Sequence, residues 1–385
     1  MSERVPLGRV ADLMAPGRPL PFRVLDAQGR LLLAAGQTIQ DGDQLRLLLE
    51  RGACADLVEV EEARTRSAAE AAGAAPVPSQ RQRTWFDHYE REIWTLDDLL
   101  RRCGRDPALA PQLDAFVGAH IERVARQFDA ALFMAVRQDH GRTALYALTH
   151  ALHTATIVLL TSRQLGWDAA RERSAVAAAL TMNASTVELQ ARMAEQSEPP
   201  SAKQKAQIHA HPHLSAQMLR ASGVADADWL TAVEDHHERA GAQGYPRGSG
   251  EVGEIARVLR AADVYAAKIS PRALRAPLLP QVAARQLFQE EQGGPLAGAL
   301  IKAVGIYPPG DFVTLKNGEV GVVALRAQGG AAAQVMALLD ARGRPVAGTP
   351  RRDTADAACA IAGTLADRSR MARVLPEQVY GLLEP

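Results

Sequence analysis

The stretch "EDHHERAGAQGYPRG", Glu234 to Gly248, sets two adjacent histidines a few residues ahead of a Gly-Tyr-Pro turn. Neutral imidazole is the commonest protein ligand for transition metals, and adjacent imidazoles can converge only where a helix ends. His236 and His237 read as such an end, with Gly244 and Pro246 shaping the loop that follows. His-His pairs also occur on solvated surfaces, so the reading depends on what else the chain brings to this point.

Ten histidines are present. His150 in "YALTHALHTATIVLL" and His211 in "IHAHPHLSAQML" sit in helical patterns that could carry them to His236 and His237. Asp263 lies in the otherwise apolar "RVLRAADVYAAK". A buried, unpaired carboxylate is costly, so Asp263 is expected to meet a cation or several donors. His153, His209 and His213 fall off these faces or at a helix start and are read as surface residues.

From Trp85 to about Gly305 apolar residues recur at three- and four-residue intervals, the pattern of a helical bundle. Its first helix, "TWFDHYEREIWTLDDLL", carries Trp85, Phe86, Tyr89 and Trp94, four of the chain's 17 aromatics (Trp 4, Tyr 6, Phe 7), and core packing explains them better than a partner surface. Upstream, "PFRVLDAQGRLLLAAG" holds two strand-like runs and "DGDQLRLLLERG" a capped helix, giving a small α+β domain over residues 1–63. The Ala-, Ser- and Pro-rich segment 64–84 has no apolar face and reads as a linker between that domain and a helical domain spanning 85–305. Residues 306–385 form a β-rich C-terminal subdomain, where Asn317-Gly318 between alternating apolar runs predicts a type I′ hairpin.

With 385 residues, 47% of them hydrophobic, the chain can bury a substantial core. Lys plus Arg equals Asp plus Glu at 44 each, so no net field favours nucleic acid or an anionic membrane, and an anionic ligand must be caught locally. Cys54, Cys103 and Cys359 are widely spaced, which argues against a disulfide framework or a zinc knuckle. No export signal or membrane span is read, and a cytoplasmic location is expected.

Several segments together resemble a known family. "HHERAGAQGYP" is similar to the HHExxDGxGYP signature of HD-GYP domains, metal-dependent phosphohydrolases that hydrolyse the bacterial messenger cyclic di-GMP. "THALHTATI", "HPHLSAQML", "ARVLRAADVYAA" and "GIYPPGDFVTLKNGEVGVV" resemble further family segments in the family's order, from about Arg142 to Gly310. The resemblance implies a mainly α fold, an HD-type bundle flanked by the α+β and β-rich parts, with metal ligands at His150, His211, His236, His237 and Asp263. It places Gly244, Tyr245, Pro246, Arg272 and Arg275 at ligand-binding positions.

The departures from the family pattern carry the functional reading. Where the family has HDxGK, this chain has Met182, Asn183, Ser185 and Thr186; Gly241-Ala242 replaces Asp-Gly, and Ala266 replaces a second Asp. Neutral Asn183 cannot bridge two dications as a carboxylate does. On the family's geometry one site retains only His150 and Asp263, while the other keeps His211, His236 and His237, enough for one ion with an open position. The resemblance therefore implies a degenerate member with no catalytic HD pair, holding one zinc, manganese or iron ion or none. A non-catalytic binding or scaffold protein of bacterial signalling, with protein partners and cyclic di-GMP as a candidate ligand, is the first reading. A phosphodiesterase with a reduced metal site is the alternative.

Overall fold

A computed structural model describes residues 4–27, 31–33, 35–39, 42–50, 52–71, 84–137, 143–239, 241–346, 350–365, 374 and 376–381. The N-terminal unit contains β1 (Arg4–Pro6), β2 (Val24–Leu25), β3 (Leu31–Leu33), α1 (Gly42–Glu50), β4 (Cys54–Asp56) and α2 (Leu57–Ala71). Its antiparallel sheet runs in the order β1-β4-β2-β3. The expected boundary at residue 63 falls inside α2, which continues to Ala71. "ARTRSAAEA" lacks an apolar stripe, but Ala, Arg and Glu are strong helix formers, and propensity here extends a helix that hydrophobic periodicity does not reveal. Residues 72–83 of the expected linker lie outside the described residues. Buried side chains of this unit, Leu33 and Leu48 among them, belong to the same apolar cluster as Trp85 and Leu145 of the bundle.

The bundle follows as α3 (Trp85–Arg102), α4 (Ala110–Arg126), α5 (Phe128–Val136), α6 (Tyr146–Gln164), α7 (Ala169–Thr181), α8 (Val187–Glu195), α9 (Ala202–Ala221), α10 (Ala227–Asp235), α11 (Glu254–Ile269), α12 (Pro280–Glu290) and α13 (Pro295–Val304). Local signals set the starts. Thr84 and Asp87 close a capping box on α3, Ser201 and Gln204 do so on α9, and Asp168 and Asp226 cap α7 and α10. Trp85, Phe86, Tyr89 and Trp94 are all buried, as the core reading of α3 requires. Helix α6 is the central post, packed by α5, α7, α11 and α13. The segment Thr143–Gln164 is long and apolar enough to cross a membrane, yet 89% of its most apolar window is covered by the protein.

The C-terminal part is a five-stranded antiparallel sheet, order β8-β7-β6-β5-β9, made of β5 (Phe312–Leu315), β6 (Val320–Leu325), β7 (Gln334–Leu339), β8 (Arg351–Asp353) and β9 (Ile361–Thr364), followed by α14 (Pro376–Tyr380). The hairpin at Asn317-Gly318 forms, but not as type I′. Gly318 alone has positive φ (85°), and the Gly318 amide bonds to the Leu315 carbonyl at 2.9 Å while the Leu315 amide bonds to Glu319 at 2.8 Å. A type I′ turn needs two left-handed residues, whereas a three-residue loop ending in a left-handed glycine needs one. The sheet docks on α5: Arg326 pairs with Asp129 at 2.9 Å, and the Tyr380 hydroxyl donates to the Ala324 carbonyl at 2.7 Å.

Candidate metal centre

Helix α9 carries His211 immediately before Pro212. Proline has no N–H, so the carbonyl four residues back, Ile208, lacks its helical partner. The His211 ring supplies the missing donor, with Nδ1 2.5 Å from the Ile208 oxygen. At the end of α10 the same device recurs. His236 is the C-cap residue, and its Nδ1 lies 2.7 Å from the carbonyl of Val233, one of the acceptors a helix end leaves open. Carbonyl oxygens only accept, so in both rings Nδ1 carries the proton and Nε2 presents a lone pair.

Those lone pairs face each other: His211 Nε2 and His236 Nε2 are 3.1 Å apart with both rings buried. Two acceptors at that distance repel unless a cation lies between them. A proton is disfavoured, because burial and then the neighbouring His236 lower the His211 pKa to about 3, and burial lowers that of His236 as well. A metal ion is the other solution. Two nitrogens each about 2.0–2.1 Å from a tetrahedral ion stand about 3.3 Å apart, close to the separation found. His237 completes the group, its ligand atom within 4.8 Å of the other two, and burial followed by the charge of His236 holds its pKa well below the ordinary value.

His150 and Asp263 are brought together but not into this trio. His150 Nε2 donates to Asp263 Oδ1 at 2.7 Å, the two side chains being 3% and 14% exposed. Burial alone would raise the Asp263 pKa; the His150 hydrogen bond and the charges of His150, His237 and His236 outweigh it and hold the carboxyl below its usual range. The Tyr146 ring stacks on His150 at 5.4 Å, and Arg272 in turn lies over Tyr146 and donates to its hydroxyl. Arg272 is thereby engaged in the fold, and Arg275 donates to the Ala267 carbonyl at 2.7 Å.

Helix α7 delivers Met182, its C-cap residue, into the core at 0% exposure, with Asn183 also buried. The short turn Ala184–Thr186 packs on α9, where Ser185 Oγ donates to the His211 carbonyl at 3.2 Å. The Gly-Tyr-Pro loop closes over the trio. Tyr245 stacks on His237 at 4.5 Å, and on its other side His209 stacks on Tyr245 at 4.9 Å. Gly244 has no room for a side chain, since a Cβ would lie 2.4 Å from the backbone of Glu238 and Arg239.

Two sequence readings need correction or addition. His153 is buried (5% exposed) rather than a surface residue, because α6 is enclosed on every side and has no solvent face for it to occupy. His209 is exposed as expected, but it also braces Tyr245. Glu238 went unread: at 1% exposure its two oxygens accept the amides of Arg247 (2.7 Å) and Ser249 (2.9 Å), tying the returning segment of the loop back to its start. A glutamate directly after two histidines and before a Gly-rich loop was the available signal.

Comparison with known proteins agrees with this architecture. Residues 123–293 match the family model described as an HD domain. A 120-residue segment is 32% identical to "Cyclic di-GMP phosphodiesterase PA4108" of Pseudomonas aeruginosa, covering 30% of this chain and 29% of that protein. Bd1817, an HDG"Y"P protein from Bdellovibrio bacteriovorus, is similar to this chain with a TM-score of 0.49 at 15% identity, over 78% of this chain and 98% of its own. The helical part of this chain is an HD domain. Within that class, the chain is similar to a cyclic di-GMP phosphodiesterase over less than a third of either chain.

Proposed function

We propose that this protein serves cyclic di-GMP signalling by binding rather than by hydrolysis, with a single divalent transition-metal ion held by His211, His236 and His237. The observation that carries the reading is the pair of Nε2 lone pairs facing each other at 3.1 Å with both Nδ1 protons committed to backbone carbonyls. HD domains generally bind divalent metals, and this donor set fits one. Such an ion supplies Lewis acidity and lowers the pKa of bound water. The chain's own part is to fix the tautomers through Ile208 and Val233, to shield the ion with Tyr245, and to keep the Gly-Tyr-Pro loop in place through Glu238.

The non-catalytic element rests on what surrounds that trio. Among the described residues the cluster contains no carboxylate. Asp263 is committed to His150, Asn183 is neutral, and Met182 and Thr186 offer neither a ligand nor a charge for phosphoryl oxygens. Groups that act as one catalytic unit fail together rather than by halves. Protein partners in bacterial signalling are part of this proposal. The 32% identity to a named phosphodiesterase favours a second reading, hydrolysis by a one-ion site.

Elemental analysis and a cyclic di-GMP hydrolysis assay on the purified full chain separate the two. At most one ion per chain, with no turnover above a His237→Ala control, is the expected result. Manganese- or iron-dependent turnover that His237→Ala abolishes would establish the second reading instead.

A further inference from the structure

The N-terminal unit holds a pocket of about 510 Å³, lined by none of the three clustered histidines. Leu7, just after β1, and Ala53, just before β4, form its buried side, where the Leu7 amide donates to the Ala53 carbonyl at 2.8 Å. Pro6, Ala27 and Leu49 continue the apolar wall, and Leu49 is 40% exposed, which leaves a large aliphatic side chain within reach of a ligand. Arg4 and Pro6 stand two apart in β1 and so share one face of the strand, which sets the Arg4 guanidinium at the same pocket. Arg4 makes no ion pair with any described residue. Its Nη1 lies 3.5 Å from the Ala27 carbonyl, the outer limit of a hydrogen bond, and Asp56 across the strand pair accepts the Val58 amide at 3.0 Å. None of the residues lining the pocket is acidic.

We propose that this pocket binds a small single-chain carboxylate, with its hydrocarbon against Leu7, Leu49 and Ala53 and its headgroup on Arg4. A concave, mainly apolar lining of roughly 300–1,000 Å³ with few polar groups is the common form of a small-molecule site, and those polar groups fix which ligand enters. Here the polar group is a guanidinium with donors to spare, whose planar fork matches the two oxygens of a carboxylate. The lining also sets the sign of the ligand's charge: Arg4 repels a cation, and a neutral chain gains apolar contact alone. Leu7 and Ala53 belong to the apolar cluster that continues through Trp85 and Leu145 into the bundle, so an occupant rests on the core that the two parts of the chain share. The site is independent of the metal reading above.

Calorimetric titration of the full chain with octanoate at about pH 7, below the concentration at which it forms micelles, tests the proposal. Octanol and octylamine serve as neutral and cationic probes of the same chain length. Octanoate is expected to bind about threefold to fivefold more tightly than octanol, the scale of one exposed ion pair, and octylamine more weakly than either. Hexanoate should bind about tenfold more weakly than octanoate, because two fewer methylenes leave water. Arg4→Gln should erase the preference for octanoate over octanol while octanol still binds, and Leu49→Asp should remove both. Both positions are exposed, so these changes leave the fold intact. His237→Ala should change nothing, which separates the pocket from carboxylate binding to an ion at the histidines. Absence of octanoate binding, equal binding of octanoate and octylamine, a preference that survives Arg4→Gln, or binding lost in His237→Ala overturns the proposal.

Discussion

The two histidine groups of this domain use the same kind of side chain and settle it in opposite ways. His150 meets Asp263, a donor facing an acceptor at 2.7 Å, and that contact needs no ion between the two side chains. His211 meets His236, an acceptor facing an acceptor at 3.1 Å, and neither ring satisfies the other. The difference comes from the backbone: Pro212 and the end of α10 leave carbonyls at Ile208 and Val233 that fix which ring nitrogen is protonated. Counting candidate ligands therefore says less about a metal site than asking where each ring's proton has gone.

The largest effect expected from this contrast is in metal content. His236→Ala should abolish stoichiometric ion binding by elemental analysis, whereas His150→Ala should leave it intact, because two remaining imidazoles hold an ion far more weakly than three. Loss of the ion in both variants would mean that His150 and Asp263 belong to the same centre, and the contrast would collapse.

Next in size is a pH effect at His153, three residues along α6 from His150. Burial, followed by the charges of His150 and His120, lowers the His153 pKa to about 3. The unfolded chain takes up this proton near pH 6.5 and the folded one only near 3, so its contribution to stability is full above 6.5 and is lost as pH falls through that window. His153→Leu should therefore flatten the acid limb of the stability curve by about 1.4 kcal/mol per pH unit between those limits. Urea melts of both proteins at several pH values provide the measurement. Parallel curves would place His153 in contact with solvent.

Much of this was legible beforehand, for reasons that differ by region. The bundle follows from a 3.6-residue apolar rhythm, and the caps at Thr84 and Ser201 are spelled out by side chains three residues apart. The resemblance already divided the five candidate ligands into a pair and a trio, but which nitrogen of each ring carries the proton was not legible, because hydrogen-bond polarity depends on carbonyls whose partners appear only in three dimensions. His153 was misread because α6 is apolar nearly all round and offers periodicity no contrast between faces. The type I′ reading at Asn317-Gly318 failed because the dipeptide fits two loop lengths, and Lys316 joins the loop.

A third test puts the pair at the end of α7 back on the metal side of the comparison. Met182 is fully buried, so Met182→His with Asn183→Asp adds an imidazole and a charge to a site now filled by a thioether. Without metal the double variant should be less stable by about 2 kcal/mol, the usual scale for burying a polar group without a partner. Added manganese should restore the melting temperature if the new groups reach an ion, and the wild type should respond less. Equal stabilisation of the two by manganese would show that these positions do not reach the centre.

The smallest expected effect lies in the loop that covers the trio. Gly241 and Ala242 both adopt left-handed backbone, with φ of 77° and 58°. For alanine that conformation costs about 1–2 kcal/mol, whereas glycine accepts it freely and loses about 0.5–1 kcal/mol of chain entropy on folding. Ala242→Gly should therefore stabilise the protein by about 0.5 kcal/mol, and Gly241→Ala should destabilise it by about 1 kcal/mol. The sign of the first change sharpens the comparison. The His150–Asp263 pair carries no such backbone penalty, while the loop over His237, whose returning segment Glu238 anchors at Arg247 and Ser249, retains one near Tyr245. If Ala242→Gly also leaves ion affinity unchanged, the left-handed alanine is a cost of the loop's shape alone. A drop in affinity together with a gain in stability would instead show that the constrained backbone helps to hold Tyr245 against His237, and that the shield over the trio is kept at some expense of stability.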